Sequence, residues 1–399
     1  MRGLRLLAMG TYDVRTHPRV GVLLEGMAQR GARVRQLNEP LGVGTAGRVE
    51  ALRSPVAAAR FAGRLAGKWG RLAAGSRAYR GRYRPDAVLV GYLGHFDVLL
   101  ARALFPRTTI VLDHLIFAAD TAADRGLAGK NFAGRVKDVL LRGLDRAAIA
   151  AADVVAVDTA EHLAMVPDRH RGKGVVVPVG APDRWFEAGD EGVGVAGAGA
   201  PGTAGGHETG AVPDARAQGD GRPRAIFFGL FTPLQGAPVI AAALAELEAR
   251  GVGLDVTLVG DGQDADCVRE LLPEAGRHVR VTWLDWVDDL APLVAAHDIC
   301  LGIFGTSAKA RRVVPNKAYQ GLAAGCALIT SDTAAQRSVL ADGAVYVPAG
   351  DATALADALA RLTDPAALAE AKRRSRAAAG AFRPRDVTGA LARTLEAAS

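Results

Sequence analysis

Lys309-Ala-Arg-Arg-Val-Val-Pro-Asn-Lys-Ala-Tyr-Gln-Gly-Leu-Ala-Ala-Gly325 lies between two apolar runs, Ile299-Cys-Leu-Gly-Ile-Phe304 before it and Cys326-Ala-Leu-Ile-Thr-Ser331 after it. The pattern reads as strand, loop, helix, strand. Pro315 suits the first turn of a helix and Gly325 its C-terminal stop. Lys309, Arg311 and Arg312 stand in the loop before that helix, and Lys317 in its first turn. Positive charge at a helix start opposes the macrodipole. An anion held by both the cations and the free helix amides removes the conflict, and phosphate is the usual one. A solvated basic loop is the plain alternative, which the order strand, cationic loop, helix start, strand makes the weaker reading.

The same alternation extends along the chain. Strand candidates in the first half are Leu4–Gly10, Ala32–Leu37, Asp86–Gly91, Thr109–Asp113, Val154–Asp158 and Gly174–Val179. In the second half they are Arg224–Gly229, Leu254–Gly260, Val279–Leu284, Ile299–Phe304, Cys326–Ser331 and Ala344–Val347. Many are near-continuous apolar runs, as strands buried on both faces should be. Helix-like stretches between them predict parallel sheets with right-handed crossovers. Two such series predict two doubly wound α/β domains, an N-terminal one over 1–188 and a C-terminal one over 222–375. Residues 376–399 are expected to be a helix returning to the first domain. Between the domains, Gly189–Gly221 carries eleven glycines in 33 residues with no apolar periodicity. It reads as a flexible linker. Gly192-Val-Gly-Val-Ala-Gly197 and Gly42-Val-Gly-Thr-Ala-Gly47 spell GxGxxG, but neither follows a first strand and opens a helix, so both read as chance.

Composition sets the outer limits. The chain has 399 residues, room for two ordinary domains, and its 49% hydrophobic content allows large cores. No apolar run approaches the ~20 residues of a membrane span, and the start is too short in apolar residues for a signal peptide. Cys267, Cys300 and Cys326 have no metal-ligand spacing and form no even framework, which predicts a reducing, cytoplasmic setting. Net charge of +7 favours anionic ligands such as nucleotides or lipid headgroups. Nucleic acid is disfavoured, since aromatic residues make up only 5% and no recognition motif is present. Asp264-Ala-Asp266 has the spacing of a paired-carboxylate metal site. With no His or Glu cluster beside it, it reads as carboxylates opening a helix, so no metal site is expected. Arg48–Arg84 holds ten basic residues against Glu50 alone. Leu52, Val56, Phe61, Leu65, Trp69 and Leu72 give it an apolar face. That face either packs on the N-terminal sheet, the favoured reading, or makes a peripheral membrane contact at the inner face of the membrane.

The segment Ile303–Gly325 resembles the donor-site segment of GT-B-fold glycosyltransferases related to family 4. Phe227-Phe-Gly-Leu-Phe-Thr-Pro-Leu-Gln-Gly236 resembles the first strand-turn of that family's nucleotide domain. Leu258-Val-Gly-Asp-Gly262 and Trp283-Leu-Asp-Trp-Val-Asp288 fall at its next two strand-end loops. Gly10-Thr-Tyr-Asp13, with His17-Pro-Arg19, resembles its first acceptor-side loop. The likeness covers nearly the whole chain. It implies a central cleft between two Rossmann-like domains and transfer of a sugar from a nucleotide diphosphate sugar, with retention and without metal or cofactor. The acceptor is left open among a lipid carrier, a polysaccharide and a small natural product. A nucleotide-sugar epimerase or hydrolase of the same fold, and a non-catalytic nucleotide-sugar or anionic-lipid binder, are the alternatives.

The resemblance also implies roles. Gly229, Gly260, Gly262, Trp286 and Val287 would face the nucleotide, with Lys309, Arg311, Arg312, Asn316 and Lys317 around the diphosphate. Gln320 would bond ribose. His114 matches a histidine that contacts the transferred sugar, with Asp113 or His95 as alternative polar or proton-accepting groups. Gly10, Thr11, Tyr12 and Asp120 would lie toward the acceptor. Two departures stand out. The family places Arg and Lys in the first loop of the nucleotide domain, where this chain has Leu230 and Gln235. It also carries two glutamates separated by seven residues, where this chain has Arg312 and Gln320.

Overall fold

The computed structural model describes residues 3–14, 17–42, 54–125, 132–194, 221–272 and 276–398. The chain forms two compact units, Met1–Pro182 with Arg383–Ser399, and Asp183–Phe382. The first is built on β1 (Arg5–Gly10), β2 (Arg33–Asn38), β3 (Ala87–Val90), β4 (Thr109–Asp113), β5 (Val154–Val157) and β6 (Gly174–Val176). Its strands are parallel in the order β2-β1-β3-β4-β5-β6. The second is built on β7 (Arg224–Phe228), β8 (Leu254–Val259), β9 (Val279–Leu284), β10 (Ile299–Leu301), β11 (Ala327–Ser331) and β12 (Ala344–Val347). Its order is β12-β11-β10-β7-β8-β9, again parallel.

Each apolar run read from the sequence holds one strand. Burial explains why. All four residues of β3 and of β5 are buried. Alternate residues feed opposite faces of the first sheet: Leu6, Ala8, Leu89 and Ala156 enter one core, and Leu7, Met9, Val88, Val90 and Val155 the other. β10 is shorter than the run Ile299–Phe304. Past Leu301, backbone bonds to the neighbouring strand continue through Gly302 and Ile303, while the Ile303 N–H turns to the Thr330 side-chain oxygen at 3.3 Å.

Strand order reverses between β1 and β3 in the first unit and between β7 and β10 in the second. In open parallel sheets, ligands bind outside the carboxyl ends of the strands at such switch points.

Two further findings concern segments outside the sheets. Helix Asp183–Gly194 runs six residues into the stretch expected to be linker from Gly189. Trp185 and Phe186 bury near its start and Trp185 stacks on Phe228, so this helix is part of the second unit. The remainder of that stretch, 195–220, lies outside the described residues, as do residues 195–197 and 43–47 of the two GxGxxG matches. Helix Pro55–Ser76 buries Leu65 and Leu72 and packs Trp69 against the first unit's core. At the other end of the chain, Leu391, Ala392 and Leu395 enter the same core cluster as Leu6 and Val20. Gly26 lets helix Pro18–Gln29 meet Pro384–Val387 backbone to side: a Cβ there would fall 2.0 Å from the Pro384 carbonyl oxygen.

Candidate functional site

In the second unit the quoted segment forms a short 3-10 turn, Ala310–Arg312, then helix Asn316–Ala323. Pro315 stands at the N-cap, and no side chain caps the helix start. The start therefore keeps unsatisfied amides, the ingredient of an anion site. Lys317 is buried at 4% exposure, and its Nζ has no hydrogen-bond partner. The ammonium sits 3.5 Å from the centre of the Phe227 ring, a cation–π contact, and 5.9 Å from Phe228. Burial lowers its pKa well below the usual lysine range.

Lys317 meets the C-terminal end of β7 at Gly229, where a Cβ would stand 3.8 Å from Nζ. This is the β7/β10 switch point. The loops ending β7 and β8 touch there through backbone alone. A Cβ on Gly260 (φ +117°) would fall 2.2 Å from the Gly229 carbonyl oxygen, so no larger residue fits. The Gly260 carbonyl accepts the Trp283 indole N–H at 3.0 Å, and Trp283 stacks on Phe231.

Of the remaining donor candidates, Gln320 is buried on the same helix, and Lys309, Arg312 and Asn316 are half-buried. Arg311 is exposed. Gly262 lies on the exposed part of the β8 loop, and Val287 is half-buried after β9. Trp286 is 75% exposed, with its indole N–H donated to Asp288. The buried amide oxygen of Gln235 has no partner, at the position where the resembled family places a cation. Asp264 and Asp266 do not converge: Asp264 opens helix Ala265–Leu271 without capping it, and Asp266 pairs with Arg269 at 3.0 Å.

In the first unit, the expected residues divide into two groups. Asp97 binds the β1 loop. Its Oδ2 accepts the Thr11 amide at 2.7 Å and hydroxyl at 2.8 Å, and its Oδ1 accepts the Trp69 indole N–H at 2.8 Å. Thr11 is thus held by the fold, and Tyr12 is buried below it with its hydroxyl on Gln36. Asp113 does not join His114. Its Oδ1 pairs with Arg19 Nε at 2.7 Å, both side chains almost fully buried, and Arg19 also donates to the Val177 carbonyl. Burial raises the Asp113 pKa and the guanidinium opposes the rise. This corrects the expectation of a proton acceptor at Asp113: the carboxylate anchors helix Pro18–Gln29 to the sheet.

His95 and His114 do converge, on a residue the sequence reading missed. Asp145 Oδ1, from helix Phe132–Ala151, lies 3.1 Å from His95 Nε2 and 3.9 Å from His114 Nε2. Asp145 accepts the amides of Ala118 and Ala119. Burial would raise its pKa, but the imidazole of His95 3.1 Å away, with His114 and the Ala118 amide, holds it below the usual value. His114 is 1% exposed, and burial pushes its pKa down to about 3, so it is neutral at physiological pH. Its Nε2 has no hydrogen-bond partner. Among the described residues, His95, His114 and Asp145 are the group whose ligand atoms approach within 4.8 Å of one another, the spacing a metal ion would need. Asp145 was visible in principle: an acid on the inward side of an amphipathic helix, beside buried Ala148 and Ile149. Asp120 is half-buried in helix Ala118–Asp124, the helix whose first amides bond Asp145.

Residues 222–364 match the family described as Glycosyl transferases group 1. A phosphatidyl-myo-inositol mannosyltransferase of Mycolicibacterium smegmatis is 35% identical over 150 residues, covering 35% of this chain and 37% of that protein's length. Among solved structures, sucrose-phosphate synthase of Thermosynechococcus elongatus superposes with a TM-score of 0.64 at 15% identity, over 99% of this chain and 100% of the other. Anabaena HepE in complex with UDP-glucose gives 0.60 at 12% identity, over 99% and 100%. The two six-stranded parallel sheets with their flanking helices are therefore a GT-B fold, and residues 222–364 of the second unit match the group 1 glycosyl transferase family.

Proposed function

We propose that the chain transfers a sugar from a nucleotide diphosphate sugar to an acceptor hydroxyl, with retention at the anomeric carbon and without a metal or other cofactor. One observation carries the reading. Lys317 is a buried lysine whose Nζ meets aromatic rings but no hydrogen-bond partner, at the carboxyl ends of the strands, beside an uncapped helix start. An isolated buried charge is costly unless an opposite charge arrives. A diphosphate supplies it.

In this reading the Lys317 ammonium and the first amides of helix Asn316–Ala323 take the diphosphate, with Lys309, Arg311, Arg312 and Asn316 around it. As the bond from anomeric carbon to diphosphate breaks, the electron pair leaves with the phosphate oxygen, and these groups stabilise the charge that develops there. Gln320 bonds ribose. The base lies against Gly229, the Gly260–Gly262 loop and Trp286–Val287. In the first unit His114, neutral and buried, offers a polar contact to the sugar. His95 suits the proton lost by the acceptor hydroxyl, because Asp145 at 3.1 Å stabilises an imidazolium as it forms. Gly10, Tyr12 and Asp120 are assigned to the acceptor side.

The relatives support a nucleotide sugar as donor: one is solved with UDP-glucose, and another is named a mannosyltransferase acting on a phosphatidylinositol. A lipid carrier is accordingly the first acceptor to try, with a polysaccharide or small natural product after it, and the cytoplasm is the proposed compartment. The deciding experiment incubates the chain with UDP-, GDP- and ADP-sugars, with and without acceptor extracts, in the presence of a chelator. Labelled sugar moving onto an acceptor supports transfer. Free sugar or an epimer appearing without acceptor replaces it with hydrolysis or epimerisation. Binding without turnover replaces both.

A further inference from the structure

Helix Phe132–Ala151 carries an apolar stripe that is exposed among the described residues. Phe132 is 77% exposed, Val136 41%, Val139 67% and Leu140 66%. These are four of the eleven large apolar side chains exposed among the described residues, and they fall within nine positions. Their spacing of i, i+4, i+7 and i+8 puts them on one face. Exposed Arg135, Arg142 and Arg146 follow one edge of that face, and half-buried Lys137 stands on the other. The helix has two acids. Asp138 is paired with Arg142 at 2.7 Å, and Asp145 points inward to His95.

From this arrangement we propose that helix Phe132–Ala151 is a docking surface for an anionic lipid bilayer, lying in the plane of the headgroups. Apolar side chains on one face with arginines along their edge are what an interfacial helix requires: the stripe enters the acyl boundary while the cations stay at the phosphates. Charge decides between a bilayer and a second copy of the chain. A two-fold contact through this face would bring arginine edges near one another, whereas acidic headgroups neutralise them. The surface differs from the basic segment Arg48–Arg84, whose helix turns Leu65 and Leu72 into the core. A helix is ~10 Å across, so docking sets the cluster of His95, His114 and Asp145 about one helix width from the lipid surface. The inference stands without the transfer reaction.

The test is co-sedimentation of the full chain with phosphatidylglycerol-containing vesicles against pure phosphatidylcholine vesicles. The wild-type chain is expected to sediment with the acidic vesicles only, and less at high salt. Val139→Ser with Leu140→Ser should lower the bound fraction roughly tenfold or more, since each lost methylene weakens insertion several-fold. Arg135→Ala and Arg146→Ala should each cost about fivefold at low salt. Val56→Ser, on helix Pro55–Ser76, should change nothing. All five positions are exposed, so circular dichroism and melting should match the wild type. Failure of the wild-type chain to bind acidic vesicles overturns the proposal, as does full binding by the Val139/Leu140 variant. A wild-type dimer that this variant makes monomeric, without vesicle binding, assigns the face to a second copy instead.

Discussion

Lys317 shows how one side chain can be costly to the empty protein and useful to the loaded one. Lys317→Met removes a buried unpaired charge while keeping the methylene stem against Phe227. The ligand-free variant should melt at or above the wild-type temperature. Its donor affinity should fall by ~1.5–3 kcal/mol, the range for charge-assisted hydrogen bonds, and calorimetry with nucleotide sugars reads both. An equal loss of stability and affinity would make Lys317 a packing residue. In the first unit, His95→Ala and His114→Ala should lower turnover about 10²-fold with smaller changes in donor affinity. Arg19→Met should act differently, destabilising the fold by ~3–5 kcal/mol through the orphaned Asp113 carboxylate. His297 gives a pH dependence. It is buried, bonded through Nδ1 to the Leu293 carbonyl and through Nε2 to the Thr257 hydroxyl, and burial pushes its pKa down to about 4. The unfolded chain binds that proton near pH 6.5 and the folded chain does not. Stability from this residue is therefore complete above about pH 6.5 and declines toward pH 4, by at most ~1.4 kcal/mol per pH unit. Urea midpoints at pH 7, 6 and 5 should show a shallower decline in His297→Gln. The sequence made Lys317 visible as a cation in the first turn of a helix, and the two histidines through strand-end position. It misassigned Asp113 because adjacent residues of a strand face opposite ways, and Asp113 looks toward Arg19 while His114 looks toward Asp145.

Strands buried on both faces, such as β3 and β5, were the most legible elements. Continuous apolar runs became strands, since a strand covered on both faces has no polar side to blur its signal. Helix Asp183–Gly194 was hidden by its composition. Glycines at 189, 192 and 194 read as linker, while its anchoring comes from Trp185 and Phe186. Loop closure was not legible either, because close backbone approach leaves no mark except the glycine that permits it. Gly260→Ala tests one such approach. With a Cβ 2.2 Å from the Gly229 carbonyl and φ at +117°, the β7 and β8 loops must part. Roughly 1–3 kcal/mol of stability should be lost, together with donor affinity, since Gly229 borders Lys317. Unaltered nucleotide-sugar binding in a folded Gly260→Ala chain would remove the β8 loop from the site.

At the level of the whole molecule, the units are not equivalent as stretches of chain. The second is continuous, Asp183–Phe382, and the first is closed by Arg383–Ser399. A fragment spanning 183–382 should fold and retain nucleotide-sugar binding, because Lys317, Gly229 and the core around Phe227 and Leu258 all lie within it. Ending the full chain after Phe382 should leave that binding intact and destabilise the first unit, which loses Leu391, Ala392 and Leu395 from its core. Separate melting of the two units, with and without donor, reads the difference. The closing segment also sets an order of events during synthesis. The strands of the first unit are made before the second unit, yet the helix that completes their core is made after it. The second unit can finish folding while the first still waits, so the unit whose strands are made earlier matures after the one that follows them, and its open face is the one a nascent-chain chaperone would meet.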